Sequence, residues 1–284
     1  MSHSRSIVFP ITIAVALLIP LIAILCFPAL NRESFLFINQ WGSVFPDFVW
    51  ANITLLGDGL WALGFMSIGV FIARAKNPLG SRSLAVAAVF GGIVLGVVVQ
   101  VLKRSFDVER PARIFANTDI NIIGEALSFN SFPSGHSATI FYMAAILLAY
   151  LGIKSIPLRG ALLSAVAIVA LSRITTGVHF PADVLAGSLL GWIFGWVTMK
   201  ILHQKMQDTG ISFILAFGAM AIIFLAAILL LFHDSKLPHV ELLKFASGAV
   251  FIIFAAINLW RLYKNHYKYN KINSKKLEQA HKTP

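Results

Sequence analysis

Eight long apolar runs, at about residues 7–30, 48–73, 84–102, 137–151, 160–171, 184–201, 211–232 and 243–262, leave this chain little choice of fold. A helix needs about 20 apolar residues to cross a bilayer, and inside lipid each backbone amide must be satisfied within its own segment. The alternating pattern of a membrane barrel is missing. The expectation is therefore an all-α polytopic membrane helix bundle with about eight transmembrane helices. The fifth run is short and is expected to extend to about residue 176. Pro10, Pro20 and Pro28 should bend the first run or mark its ends. Its length suits a retained span better than a cleaved leader.

Only 12% of the residues are charged, against about 25% in an ordinary soluble domain. The net charge of +11 comes from cations scattered between apolar runs and gathered in the tail. That distribution fits membrane topology and contact with anionic lipid, not a nucleic-acid face, so no nucleic-acid partner is expected. Cys26 is the single cysteine, which excludes an internal disulfide.

With eight spans, one face receives the N-terminus, the connections at 74–82, 154–159 and 200–205, and the C-terminal tail. These hold fifteen of the 23 lysines and arginines. The positive-inside rule makes that face cytoplasmic. Residues 263–284 read as a basic cytoplasmic tail following a single transmembrane domain, 1–262.

Three polar segments then fall together on the opposite, outer face: KRSFDVERP at 103–111, PSGH at 133–136 and SRITTGVHFPAD at 172–183. Ionisable groups at the ends of apolar runs point to a site. Lys103 offers a compact charge, and Arg110 and Arg173 offer planar forks for phosphate oxygens. Ser134 suits a helix N-cap, and Gly135 allows close approach to an anion at a helix N-terminus. His136 would stand in the first turn as a proton donor or acceptor. His179 and Asp183 are four residues apart across a turn, so the carboxylate could orient the imidazole for attack. Each segment read singly also has a structural reading: snorkelling cations, a plain helix cap, a His–Asp capping pair. The 33-residue interval from 103 to 135 reads as a lid. Asp58 reads as a hydrogen-bonded structural acid that could support Arg173, and Trp41, Trp50 and Trp61 as interfacial rings.

Taken together, the segments match K-x6-RP, PSGH and SR-x5-H-x3-D, and the chain resembles the type 2 phosphatidic acid phosphatase superfamily over roughly residues 48–202. The resemblance implies a six-helix catalytic core, leaving two further C-terminal spans. It also implies a metal-independent phosphoric ester or diphosphate hydrolase, without cofactor, acting through a phosphohistidine. His179 would be the nucleophile, Asp183 its orienting partner and His136 the general acid. Lys103, Arg110, Ser134, Gly135 and Arg173 would bind phosphate. The expected substrate is a lipid phosphate or diphosphate held in the bilayer, with undecaprenyl diphosphate as first candidate. Phosphatidate, phosphatidylglycerophosphate and lipid A phosphates stand as alternatives, as does phosphotransfer to a second lipid. A transporter that holds an anion without chemistry is the non-enzymatic alternative. The expected location is a bacterial inner membrane, with the active site toward the periplasm or cell exterior.

Overall fold

The computed structural model describes residues 3–77, 80–116, 119–208 and 212–280, which form helices and no strand. In chain order they are α1 (His3–Cys26), α2 (Pro28–Gly42), α3 (Asp47–Leu55), α4 (Gly59–Lys76), α5 (Gly80–Val86), a π-helical turn (Ala87–Gly91), α6 (Gly92–Phe106), α7 (Pro111–Ile114), α8 (Gly135–Leu151), α9 (Ile156–Thr175), α10 (Pro181–Asp208), α11 (Phe213–Phe232) and α12 (Glu241–Ala280). Among the described residues, six helices are long and apolar enough to span a membrane. The bent pair α3–α4 makes a seventh, and the 17-residue α8 corresponds to the remaining run.

Several boundaries differ from the sequence expectation. The first run stops at Cys26, and Pro28 starts a separate helix at its N1 position, where proline's missing N–H costs nothing. The resulting α2 is too polar to span. It packs on the end of α9 through Asn39, which is fully buried. The Asn39 side-chain amide donates to the carbonyls of Asn121 (2.9 Å), Ile174 (3.1 Å) and Thr175 (3.2 Å). The second run is broken at Gly57–Asp58, where the two helices meet at 62°. Asp58 caps α4 by accepting from Leu60 N at 2.8 Å, the structural role its sequence setting suggested. Trp50 and Trp61 are 4% and 1% exposed, so they pack internally, and only Trp41 is open to the surroundings. Helix α12 continues through residue 262 without a break as far as Ala280, so the described part of the tail is helical. Residues 281–284 lie outside the described residues.

Apolar side chains gain little by leaving lipid for each other, so close fit must hold such helices together. The tightest fit is between α8 and α10. Gly187, Gly191 and Gly195 recur every four residues on α10, forming a stripe on one face. A Cβ at Gly191 would lie 2.0 Å from the Ala138 carbonyl oxygen, and one at Gly187 would lie 2.3 Å from that of Ser134. Only glycine lets the two backbones come this close. The seam runs parallel, so the N-termini of α8 and α10 end side by side. The π-helical turn has its own local cause: Tyr142 of α8 donates to the Ala87 carbonyl at 2.6 Å, and Gly91 leaves room for its hydroxyl.

Candidate active site

The two adjoining helix N-termini form the floor of the site. Ser134 caps α8: its hydroxyl oxygen accepts from Ser137 N at 3.4 Å and from Ser137 Oγ at 3.0 Å, leaving its own proton free to donate. Its backbone N–H donates to the Asp183 carbonyl at 2.9 Å, joining PSGH to the start of α10. A Cβ at Gly135 would meet Val99 at 3.8 Å, an ordinary contact, so space around its side-chain position does not by itself require glycine. His136 follows, half-buried, with the α3–α4 bend against it: a Cβ at Gly57 would lie 3.1 Å from His136 Cβ.

The third segment turns tightly. Val178 N and His179 N both donate to the Arg173 carbonyl, at 3.3 and 3.1 Å. Gly177 takes φ +73°, and a Cβ there would strike the Asn121 carbonyl at 2.3 Å. His179 is 2% exposed. Its Nδ1 faces Asp183 Oδ2 at 3.3 Å, which leaves Nε2 as the nitrogen turned away from the carboxylate. Nε2 instead faces Arg110 Nη1 at 3.5 Å. Asp183 is itself fixed, since its Oδ2 accepts from Phe180 N at 2.9 Å and from the Ser131 hydroxyl.

The first segment brings in its cations from α6 and the start of α7. Arg110 N-caps α7 in an extended conformation, and Pro111 occupies N1. The Arg110 guanidinium donates to the carbonyls of Phe129 (2.9 Å), Val178 (3.0 Å) and Asn130 (3.3 Å). Lys103 Nζ donates to the same Asn130 carbonyl at 2.7 Å. Asn130 adopts φ +57°, a conformation asparagine tolerates better than most residues. The long interval before PSGH therefore returns to clamp the two cations. Arg173 reaches Thr54 Oγ1 at the α3–α4 bend, while its buried Nε has no partner among the described residues.

All eight motif residues thus surround one small volume. Lys103, Arg110 and Arg173 lie within electrostatic reach of both His136 and His179. Burial first, and then Arg110, Arg173 and Lys103, hold the His179 imidazole well below its ordinary value of 6.5. It is therefore held toward the neutral form, with Nε2 turned to the Arg110 guanidinium and three cations close enough to hold an anion.

Three neighbours had no distinguishing signal in the sequence. Ser131 is fully buried and stands 3.4 Å from His179 Nδ1 as well as donating to Asp183. Thr54 holds Arg173, and Asn39 ties the turn that carries His179 to residue 121. Only Ser131, two residues before PSGH, was close enough in sequence to have been suspected.

The pattern of the PAP2 superfamily matches residues 83–207, a span that starts later and ends slightly further on than the resemblance read from the motifs. Bacitracin transport permease protein BcrC of Bacillus licheniformis is 27% identical over 188 residues, covering 64% of this chain and 88% of its own length. Lipid A 1-phosphatase of Rhizobium etli is 29% identical over 164 residues, covering 52% of this chain and 66% of its own. The Escherichia coli protein named "Putative undecaprenyl-diphosphatase YbjG" is 41% identical over 78 residues, covering 27% of this chain and 37% of its own. The matched span 83–207 contains Lys103, Arg110, Ser131, Ser134, Gly135, His136, Arg173, His179 and Asp183, so this part of the chain carries the pattern of the PAP2 superfamily.

Proposed function

We propose that His179 is the nucleophile of this membrane lipid phosphatase, and that its preferred substrate is a polyprenyl diphosphate such as undecaprenyl diphosphate. One observation carries the first part: a buried, neutral imidazole with a carboxylate on Nδ1 and a guanidinium facing Nε2. Lys103, Arg110 and Arg173 bind the non-bridging phosphate oxygens, with Ser134 and the first-turn N–H groups at Gly135. The Nε2 lone pair attacks phosphorus while the bond to the leaving oxygen breaks, and His136, protonated once the bound phosphate's negative charge offsets the cations, gives that oxygen its proton. Asp183 stabilises the charge that spreads onto the ring through Nδ1–H. Water then attacks phosphorus, the P–N bond breaks, and His136 takes the water proton. The three cations neutralise developing charge, so the cycle needs no metal ion.

The substrate choice leans on the names of two relatives, one an undecaprenyl-diphosphatase and the other a lipid A 1-phosphatase. The relative matched over 188 residues is instead named a transport permease, which favours a transport reading. Transport gives no role to an oriented nucleophile. The Lys and Arg distribution supports a site at the extracytoplasmic face of a bacterial inner membrane.

The deciding experiment measures phosphate release by purified protein in detergent, with chelator present. Undecaprenyl diphosphate, phosphatidate, phosphatidylglycerophosphate and lipid A are compared. Release from at least one lipid is expected, fastest from undecaprenyl diphosphate, and His179→Ala should abolish it. A well-folded His179→Ala protein with normal release would refute the mechanism. Faster release from lipid A would remove only the polyprenyl assignment.

A further inference from the structure

We propose that His233, in the connection between α11 and α12, is a specificity-determining residue that donates a hydrogen bond to the second phosphate of a lipid diphosphate; this rests on the roles proposed for His179 and His136. The connection lies beyond residues 83–207, which carry the family pattern. It nevertheless packs on two elements that frame the site. On one side, the Asn52 side-chain amide of α3 donates to the His239 carbonyl at 3.1 Å, two residues before Thr54, which holds Arg173. On the other lies the long interval that precedes PSGH: a Cβ at Gly124 would lie 3.0 Å from the Lys236 carbonyl oxygen. Leu237 and Val240 join Trp50, Leu55, Ile123 and Leu230 in one apolar cluster. Lys244 Nζ donates to the His233 carbonyl at 3.3 Å, which fixes the chain as it leaves α11. The connection therefore bridges the α3–α4 bend, which lies against His136, and the interval that clamps Lys103 and Arg110. His233 itself is half-buried and within electrostatic reach of His136.

In-line displacement puts the leaving oxygen across phosphorus from His179 Nε2, where His136 protonates it. Groups gathered around His136 therefore meet the leaving group. For a lipid phosphate monoester that group is an uncharged alcohol; for a lipid diphosphate it is a phosphate. An imidazole N–H donates to a phosphate oxygen whether the ring is neutral or charged, so His233 needs no proton of its own for this task. Lys236 suits it less, being exposed and paired with Asp234 at 2.5 Å. A donor that meets phosphate in one substrate and carbon in another discriminates between them. Negative charge grows on the leaving phosphate as its bond breaks, so the hydrogen bond strengthens in the transition state.

The test compares His233→Phe, which keeps a ring and removes the donor, with His233→Gln, which keeps a donor, in full-length protein in detergent. Phosphate release from undecaprenyl diphosphate and from phosphatidate gives kcat/KM for each. The diphosphate-to-phosphatidate ratio should fall at least tenfold in His233→Phe and stay within threefold of wild type in His233→Gln. If the wild type acts on the diphosphate alone, the expected result is a tenfold loss on it that His233→Gln restores. A thermal unfolding curve certifies each fold, and should His233→Phe not fold, His233→Ala must show the same fall. An unchanged ratio in a folded variant, whether both rates persist or both drop together, overturns the role of His233 and leaves the catalytic reading intact. A wild type that releases no phosphate from the diphosphate overturns the substrate reading itself, and the role of His233 with it.

Discussion

Replacing Ser131 by alanine tests whether the geometry around Asp183 matters to catalysis. The Ser131 hydroxyl is fully buried and donates to Asp183 Oδ2, the same oxygen that faces His179 Nδ1. A hydrogen bond to a charged acceptor contributes about 1.5–3 kcal/mol. In Ser131→Ala, Oδ2 keeps the Phe180 N–H but loses its second fixed donor, so the carboxylate is freer to rotate away from the ring. If the whole interaction is felt in the transition state, turnover should fall roughly 10- to 150-fold, at 1.36 kcal/mol per factor of ten. Because Ser131 orients a side chain rather than gripping phosphate, the loss should appear in kcat with KM nearly unchanged. Steady-state phosphate release, paired with a thermal unfolding curve, measures both. The Ser131→Ala and Asp183→Asn losses should also be non-additive, since both act through one carboxylate. A variant with kcat within twofold of wild type, or a rise in KM alone, would refute this reasoning.

Protonation silences the Nε2 lone pair, and His179 is held neutral below its ordinary value by burial and then by Arg110, Arg173 and Lys103. The acid limb of kcat/KM should consequently lie below pH 6.5 and move upward in Arg110→Gln, as the pH–rate profile of each enzyme will report. Gly191→Ala puts a Cβ 2.0 Å from the Ala138 carbonyl, which must move. Overpacking of this kind costs about 1–3 kcal/mol, so the unfolding temperature in detergent should drop, whereas Gly96→Ala, with open space around it, should leave it within a degree or two. For topology, a cysteine replacing exposed Glu125 should react with an impermeant reagent from outside intact cells, and a reporter fused after Pro284 should read as cytoplasmic. The reverse pattern would invert the orientation taken from the Lys and Arg distribution.

The helices were legible because lipid imposes a length and a composition that few other structures share. The eight motif residues were legible for a different reason: binding and splitting a phosphate ester needs cations, a nucleophile, an acid and an orienting carboxylate, and the chain has few such groups outside its ends. What could not be read was what holds them. Thr54 meets Arg173 across 119 residues, and Asn39 reaches Thr175 across 136. A threonine or asparagine in an apolar stretch looks the same whether it caps a turn or supports a site. The break at Gly57–Asp58 had a turn-like Gly-Asp-Gly sequence, but it sat within a continuous apolar run, and hydropathy averages over such short interruptions. Trp50 and Trp61 failed for the converse reason: their rings suit an interface or a core equally, and only packing against Phe45 and Phe251 decides for the core.

The glycine seam of α10 links these two kinds of information. Its residues carry no chemistry, yet they set the register in which the N-terminus of α8 meets that of α10. Both helix ends present partial positive charge to the same volume, beside Lys103, Arg110 and Arg173. That excess of positive charge attracts phosphate and simultaneously disfavours a proton on His179, so anion binding and activation of the nucleophile have one cause. It also makes Asp183 necessary. Once His179 attacks, the ring becomes cationic among three cations, and the Asp183 carboxylate is the negative group in hydrogen-bonding range of its Nδ1. Removing a cation should therefore weaken substrate binding while making His179 easier to protonate, whereas removing the carboxylate should leave binding largely intact and slow the chemical step. The contrast between Arg110→Gln and Asp183→Asn, in KM against kcat, separates a shared electrostatic origin from two unrelated roles.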